Sequence, residues 1–410
     1  MKDLVPQNAV DAVAKRIRER ASINYYIPTI GHAANLETPQ YFEIMPFTDV
    51  DKPPCRFFAI DGSQNHHTFY NGISLALYRA GYLCYQYGKP QCVNDANDPF
   101  NLAQLYTPEN TLVLRESDIG QMYDELLSLP PVAAFLSFCD DEPDVVFAYK
   151  KEAAVRTLST FLGFAQQVLE WSLVYEIATR PEIQSGDYIL RDGTLRPLEI
   201  KQQYIVKLGA YVKEKGMRLL AVTKQSPVKM ELSYTFTQID NYLQDTLKHN
   251  YGFTNPSGND RKLCAFLEVP ESVLLGAYGS GAQFIKKSIT GGRGCGLFFA
   301  ARLDYVEKLQ NYDWLLIDLN IFDVIPGIEQ KNLTRSLELV KSIMYDLTAL
   351  TQEHYILGYP YPLADVHNTV TIPAVLKDEL VARVKTSLYE TAHLDHTEIE
   401  NFFLDTHNRF

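Results

Sequence analysis

The chain is short of cations, of paired cysteines and of long apolar runs, and each shortage excludes something. Lys and Arg number 38 against 50 Asp and Glu, a formal charge of −12. Binding of nucleic acid by bulk positive charge is therefore excluded, although a local basic surface is not. The six cysteines, Cys55, Cys84, Cys92, Cys139, Cys264 and Cys295, contain no C-x-x-C pair. That argues against a zinc ribbon or a thioredoxin-like site and fits a reducing cytoplasm. No apolar run approaches the ~20 residues that cross a bilayer, so no membrane partner is expected. The opening MKDLVPQNAVDAVAKRIRER has charge where a secretory leader has an apolar core. What remains is 410 residues, 46% hydrophobic and 21% charged, a composition that builds globular cores and excludes disorder over most of the chain.

Periodicity places the elements. Residues 6–21 space Val10, Val13 and Ile17 as on a surface helix. RFFAI (56–60) is a short apolar strand running into the turn signal Asp61-Gly62-Ser63, and 67–75 and 77–86 read as two further strands of an antiparallel meander. Residues 93–130 are polar and read as inserted. A long helix is expected over 151–180, with Leu158, Phe161, Leu162, Ala165, Leu169 and Leu173 on its apolar face. A strand (187–193), a helix closed by Gly216 (199–216) and a strand (217–224) follow. Strands return at 297–303 and 314–319. Helices are expected at about 330–350 and, after a GYPYPLADVHN lead-in, at about 373–390.

Two aspartates share one setting. Asp61 and Asp192 each end an apolar strand and precede a glycine. Asp-Gly is a common turn dipeptide, but a carboxylate at a strand end with close backbone approach beside it is also a good hard-metal ligand. The order around them is strand–Asp, two strands, long helix, strand–Asp, helix, strand. This is the order of an RNase H-like α/β fold, a mixed sheet flanked by helices, in which the first and fourth strands lie side by side. Divalent ions held there in a two-metal arrangement activate water against a phosphodiester. The helix offers Glu176, reached by stepping along the apolar stripe, with Glu170 as the alternative on the side of Gln166 and Gln167. A core-facing carboxylate is costly unless paired or metal-bound.

The blocks FFAIDGS (57–63), YILRDGTL (188–195), LLAVTKQS (219–226) and GYPYPLADVH (358–367) resemble the signature blocks of the NurA nuclease family, in order and across most of the chain. The resemblance implies an RNase H-like homodimer and a manganese-dependent nuclease (magnesium being possible). It further implies 5′–3′ exonuclease and single-strand endonuclease activity on DNA, in end processing and repair with a HerA-type hexameric ATPase. By the same resemblance Asp61 and Asp192 match the metal-binding aspartates, His367 the late histidine, and Tyr359 (less well Tyr361) the late tyrosine. Glu176 or Glu170 takes the helix position. Carboxylates with one imidazole also suit manganese better than magnesium, and Tyr359 can orient a scissile phosphate.

Residues 196–229 hold eight basic residues against two acidic, within an acidic chain. This is a candidate phosphate-tracking face that includes Lys224. Lys286, Lys287 and Arg293 mark a Gly-rich stretch as a candidate DNA-contacting loop. It is not a P-loop, because a lysine takes the place of the second glycine. His66-His67 and His393 with His396 lack fitting companions and are assigned no metal. The expected organisation is an extension (1–54), an RNase H-like core (55–224), an insertion (225–296), and core completion with C-terminal helices (297–410). Two rival readings are a non-catalytic DNA-guiding scaffold on an ATPase ring and a nuclease of RNA or hybrids.

Overall fold

The computed structural model describes residues 11–12, 14–15, 42–46, 55–69, 72–86, 93–108, 112–113, 116–224, 228–229, 236, 263–269, 295–303, 314–324, 337–351, 358–391 and 395–402. Most of the helix expected over 6–21 lies outside them. In chain order the strands are β1 (Phe42–Pro46), β2 (Arg56–Thr68), β3 (Ser74–Gln86), β4 (Gln104–Tyr106), β5 (Leu112–Val113), β6 (Tyr188–Asp192), β7 (Arg218–Thr223), β8 (Leu263–Glu268), β9 (Gly296–Arg302) and β10 (Leu315–Asn320). The helices are α1 (Glu116–Ser128), α2 (Pro130–Cys139), α3 (Pro143–Val146), α4 (Lys151–Ala154), α5 (Leu158–Thr179), α6 (Gln202–Glu214), α7 (Ile321–Val324), α8 (Leu337–Ala349), α9 (Tyr361–Val370), α10 (Ala374–Thr391) and α11 (His396–Phe402).

The chain forms two compact units. One comprises Pro53–Asp192, Arg196–Leu220 and Tyr361–Phe410. Its strands run β4-β3-β2-β6 and on into the first half of β7, with the two-residue β5 paired to β3 off this path; β5 aside, that is third, second, first, fourth, fifth in sequence. β2 and β3 pair antiparallel along all 13 residues of each, and β6 pairs parallel to β2 from Phe57↔Tyr188 to Ile60↔Arg191. A long helix separates the third strand from the fourth, and another the fourth from the fifth. This is the RNase H-like topology.

Three local expectations are corrected. First, β2 does not stop at Asp61. Gly62 and Ser63 stay in the ladder opposite Ala80 and Arg79, and the reversal comes at Phe69–Ile73, where Phe69 and Ile73 close the turn and Gly72 has φ 85°. Gly62 is needed for approach rather than for a turn. A Cβ there would lie 2.6 Å from Glu170 Oε1 and 2.7 Å from Gln166 Cγ. Second, the third strand is Gln104–Tyr106, within the polar stretch read as inserted, because its pairing with β3 supplies the ladder that its composition does not advertise. Third, the long helix begins at Leu158, where Thr157 Oγ1 accepts the Thr160 amide at 3.2 Å, an N-cap that separates it from α4.

α5 packs on the sheet through Phe161 against Tyr78, and under the outer helices through Phe164 against Tyr123 and Tyr175 against Phe138. Covered on both sides, it buries thirteen of its 22 residues and so has no single apolar stripe. Asp187 pins the parallel register by accepting the amides of Arg56 at 2.8 Å and Gln184 at 3.0 Å.

The other unit comprises Met1–Lys52, Gly193–Leu195 and Ala221–Pro360. Its strands β1, β8, β9 and β10 form an antiparallel ladder. β8 therefore comes from the segment read as an insertion. Gly296 leaves room for the buried Asp318 carboxylate, whose Oδ2 accepts the Leu195 amide at 2.9 Å.

The tight seat of Gly62 on α5 gives a direct test. Gly62→Ala should lower unfolding stability in urea by about 1–3 kcal/mol, the usual cost of forcing a methyl group into a filled site.

Candidate metal centre

Three chain-distant residues meet in the RNase H-like unit. Asp61, Asp192 and His367 each offer a donor atom, and these atoms all lie within 4.8 Å of one another. The ladder explains the aspartates. Ile60 pairs with Arg191, so the next residue along each strand stands beside its counterpart, and strand alternation sends both carboxylates to the same face.

His367 reaches that face on α9. The lead-in GYPYPLADVHN was expected to precede a helix; from Tyr361 it is the helix, with Pro362 in its first turn, where a missing N–H costs nothing. Four contacts dock α9. Tyr85 donates to Asp365 Oδ2 at 2.7 Å. Arg79 caps its C-terminal end, donating to the carbonyls of Val370 and Thr371 at 2.6 Å each, which also suits the helix dipole. Ser63 Oγ accepts the Ile372 amide at 3.2 Å. Asp-Gly-Ser thus serves three purposes in succession: donor, helix approach and helix anchor. None of Arg79, Tyr85, Asp365 or Ser63 was singled out from sequence, because their partners lie hundreds of residues away.

His367 Nδ1 is 2.8 Å from Asp61 Oδ2, and its ring is 52% exposed against 8% for the Asp61 side chain. The centre is therefore walled by protein at Asp61 and open to solvent at His367. Asp61 Oδ1 accepts the Gly62 amide at 2.8 Å. Burial pushes the Asp61 carboxyl above its ordinary range and the Asp192 charge pushes it further, while the hydrogen bonds from His367 and Gly62 pull it back.

The helix glutamates are placed differently from the expectation. Glu176 faces the sheet but meets β3, where Tyr82 Oη donates to it at 3.3 Å. Glu170, assigned to the polar side, is fully buried and paired with Arg191 at 2.5 Å. Each step of four residues rotates about 40° around a helix, so the walk from Phe161 to Leu173 drifts away from the face it began on. Neither glutamate contributes to the donor cluster. Burial pushes the Glu170 carboxyl up to about 7, with Arg191 pulling down and Asp61 pushing up.

Tyr359 and Lys224 belong to the other unit, where the Lys224 ammonium sits 4.0 Å above the centre of the buried Tyr359 ring. Tyr361 packs edge-on against Tyr85 at 5.3 Å. Lys286, Lys287 and Arg293 lie outside the described residues. Much of the basic run at 196–229 is tied to the scaffold. Lys201 donates to the Val145 carbonyl at 2.6 Å, Lys207 to that of Phe138 at 2.7 Å, and Arg218 to Tyr188 Oη.

No family model matches the sequence, and no curated protein matches it. Among solved structures the chain is similar to the NurA nuclease from Sulfolobus solfataricus, at 13% identity over 94% of each chain with a TM-score of 0.43. It is also similar to a NurA structure with manganese, at 11% identity, 92% of this chain, 98% of that chain and a TM-score of 0.31. A third is endonuclease V from Ciona intestinalis in complex with DNA, at 12% identity, 90% of this chain, 97% of that chain and a TM-score of 0.31. Superpositions this loose leave the chemistry to the chain's own geometry.

Because the folded state raises the Asp61 carboxyl above its unfolded value, that group's contribution to stability is present in acid and is lost as pH rises through the folded value. Asp61→Asn cannot ionise. In chelator its Tm should exceed wild type at pH 8, with the gap closing toward pH 4. A variant less stable than wild type at pH 8 would contradict the strain assigned to this carboxylate.

Proposed function

We propose that the chain is a NurA-like, divalent-metal-dependent nuclease. The observation that carries this reading is the meeting of Asp61, Asp192 and His367 on adjacent strands and a docked helix of an RNase H-like unit. The donor set fits a divalent cation. Two carboxylates crowd one face, one of them desolvated, and an imidazole completes three sides. Oxygen donors with one nitrogen favour manganese over magnesium. When bound, such an ion supplies Lewis acidity and a nucleophile at neutral pH.

The chain's residues do the rest. Asp61 and Asp192 hold the negative field that retains the cation. His367 stands at the open rim, where its imidazole would be the third ligand; because burial already raises the Asp61 carboxyl and a ligating carboxylate must be ionised, loading should weaken in acid. Tyr359, which matches the late-motif tyrosine, is proposed to orient a scissile phosphate, and Lys224, which follows an apolar strand, to contact a phosphate. Lys286, Lys287 and Arg293 are proposed to follow the DNA backbone. DNA as substrate, 5′–3′ exonuclease and single-strand endonuclease activity, a homodimer, a cytoplasmic location and a HerA-type ATPase partner all follow the motif resemblance set out for the four sequence blocks.

The test is cleavage of DNA, RNA and hybrid substrates with manganese. DNA should be cut. Asp61→Ala and Asp192→Ala should each lose about 100-fold or more, and His367→Ala at least about tenfold, as removal of groups that hold a metal usually does. Undiminished cleavage in both aspartate variants would overturn the assignment, and cleavage of RNA alone would move the substrate to the ribonucleases.

A further inference from the structure

Arg79 stands on β3 directly opposite Ser63, while Asp61 stands opposite Gly81. Arg79 therefore shares the face that carries Asp61 and lies one diagonal step from it, about 7–8 Å along the ladder. Its half-buried side chain donates from Nε to the Val370 carbonyl and from Nη2 to the Thr371 carbonyl, at 2.6 Å each. Those two bonds use one edge of the guanidinium. The other edge, Nη1 with the second hydrogen of Nη2, is still available. Nη1 has no protein acceptor and, unlike Nη1 of Arg56, is not sealed from solvent. Burial pushes the guanidinium down from its ordinary range, and among the described residues no carboxylate pairs with it to offset this.

Closing two helix-end carbonyls takes two N–H donors but no net charge, and a charge held partly out of water without a carboxylate is costly. Counter-ions are plentiful in a chain with 50 acidic residues against 38 basic, yet none is placed here. The carbonyl bonds also keep Arg79 on the end of α9. Without them the charges of Asp61 and Asp192 would draw the guanidinium into an ion pair that competes with a metal ion. What is left is a fixed cation with an open two-donor edge, the arrangement that takes phosphate oxygens in pairs. Pinned along its inner edge, the side chain has little freedom left to lose on binding.

We propose that Arg79 is a substrate-binding residue, whose outer edge holds the phosphate next to the scissile one while its inner edge stays on α9. One diagonal step of the ladder is comparable to the spacing of neighbouring phosphates along one strand, so a strand seated at the metal centre presents its next phosphate to Arg79. His367 lies one turn before the carbonyls that Arg79 grips. The same helix end thus fixes a metal ligand and a phosphate ligand relative to each other. This role presupposes the nuclease proposed above and adds to it a contact on the strand flanking the cut.

The test is the salt dependence of binding between the full chain, in chelator, and a fluorescent single-stranded oligodeoxynucleotide. Arg79→Gln keeps a donor for α9 but no charge. It should weaken binding and lower the slope of log affinity against log salt by about 0.7, the share of one phosphate contact on a single strand. Arg79→Lys should keep the wild-type slope. Manganese affinity, read by calorimetry, should stay within about threefold of wild type in Arg79→Gln, whereas Asp61→Asn should lose at least about tenfold. A wild-type slope in Arg79→Gln would overturn the phosphate contact and leave the metal centre standing. So would a lowered slope accompanied by about a tenfold loss of manganese affinity, because the arginine would then act only through α9. Should Arg79→Gln fail to fold, Arg79→Lys decides: a slope lowered there would overturn the contact. Wild type that binds no oligodeoxynucleotide would overturn the contact and the DNA substrate together, and unchanged manganese binding in Asp61→Asn would overturn the centre itself.

Discussion

The parallel pairing of β2 with β6 is the constraint on which the rest depends. It sets Asp61 beside Asp192, two like charges that water would keep apart, and it buries one of them. Nothing in the local chemistry of either strand favours that juxtaposition. It is imposed by the ladder, by Asp187 gripping the Arg56 and Gln184 amides, and by the helices packed on each face. A fold that holds repelling carboxylates together keeps a standing attraction for a cation, and local strain of this kind is usual where the structure around it over-determines the geometry.

Strand alternation divides the work between the two faces of the sheet. One face carries Asp61 and Ser63 with Arg79 and Tyr85 opposite them, and α9 lies over it with His367. The other carries Gly62, Tyr78, Tyr82 and Arg191, and α5 lies over it with Glu170 and Glu176. With no side chain, Gly62 lets Glu170 approach to a distance at which any Cβ would collide. The same division explains why one acidic cluster opens to solvent at His367 while the other is sealed by Arg191, Gln166 and Gln167.

The parts legible in the sequence are those written in short-range chemistry. Apolar runs ending in Asp-Gly identified Asp61 and Asp192, and the order of strands and helices identified the sheet that joins them. A late Pro-rich block identified His367. What stayed hidden depends on long-range pairing. Gln104–Tyr106 becomes a strand only because β3 offers it a ladder. The phase of α5 was unreadable because a helix covered by sheet on one side and helices on the other is apolar nearly all round, so Glu170 could not be told from an exposed residue. Arg79 and Ser63 looked like ordinary strand residues until α9 arrived from the far end of the chain. Lys201 and Lys207 counted as surface charge in the sequence, yet they close helix-end and turn carbonyls in the fold.

Asp61, Asp192 and His367 are proposed to grip a divalent cation together. A crystal of the full chain soaked in manganese, with anomalous differences collected near the manganese edge, tests it most directly. A strong peak is expected in contact with carboxylate oxygens of Asp61 and Asp192 and an imidazole nitrogen of His367. A map with no peak among these three side chains at saturating manganese would contradict it.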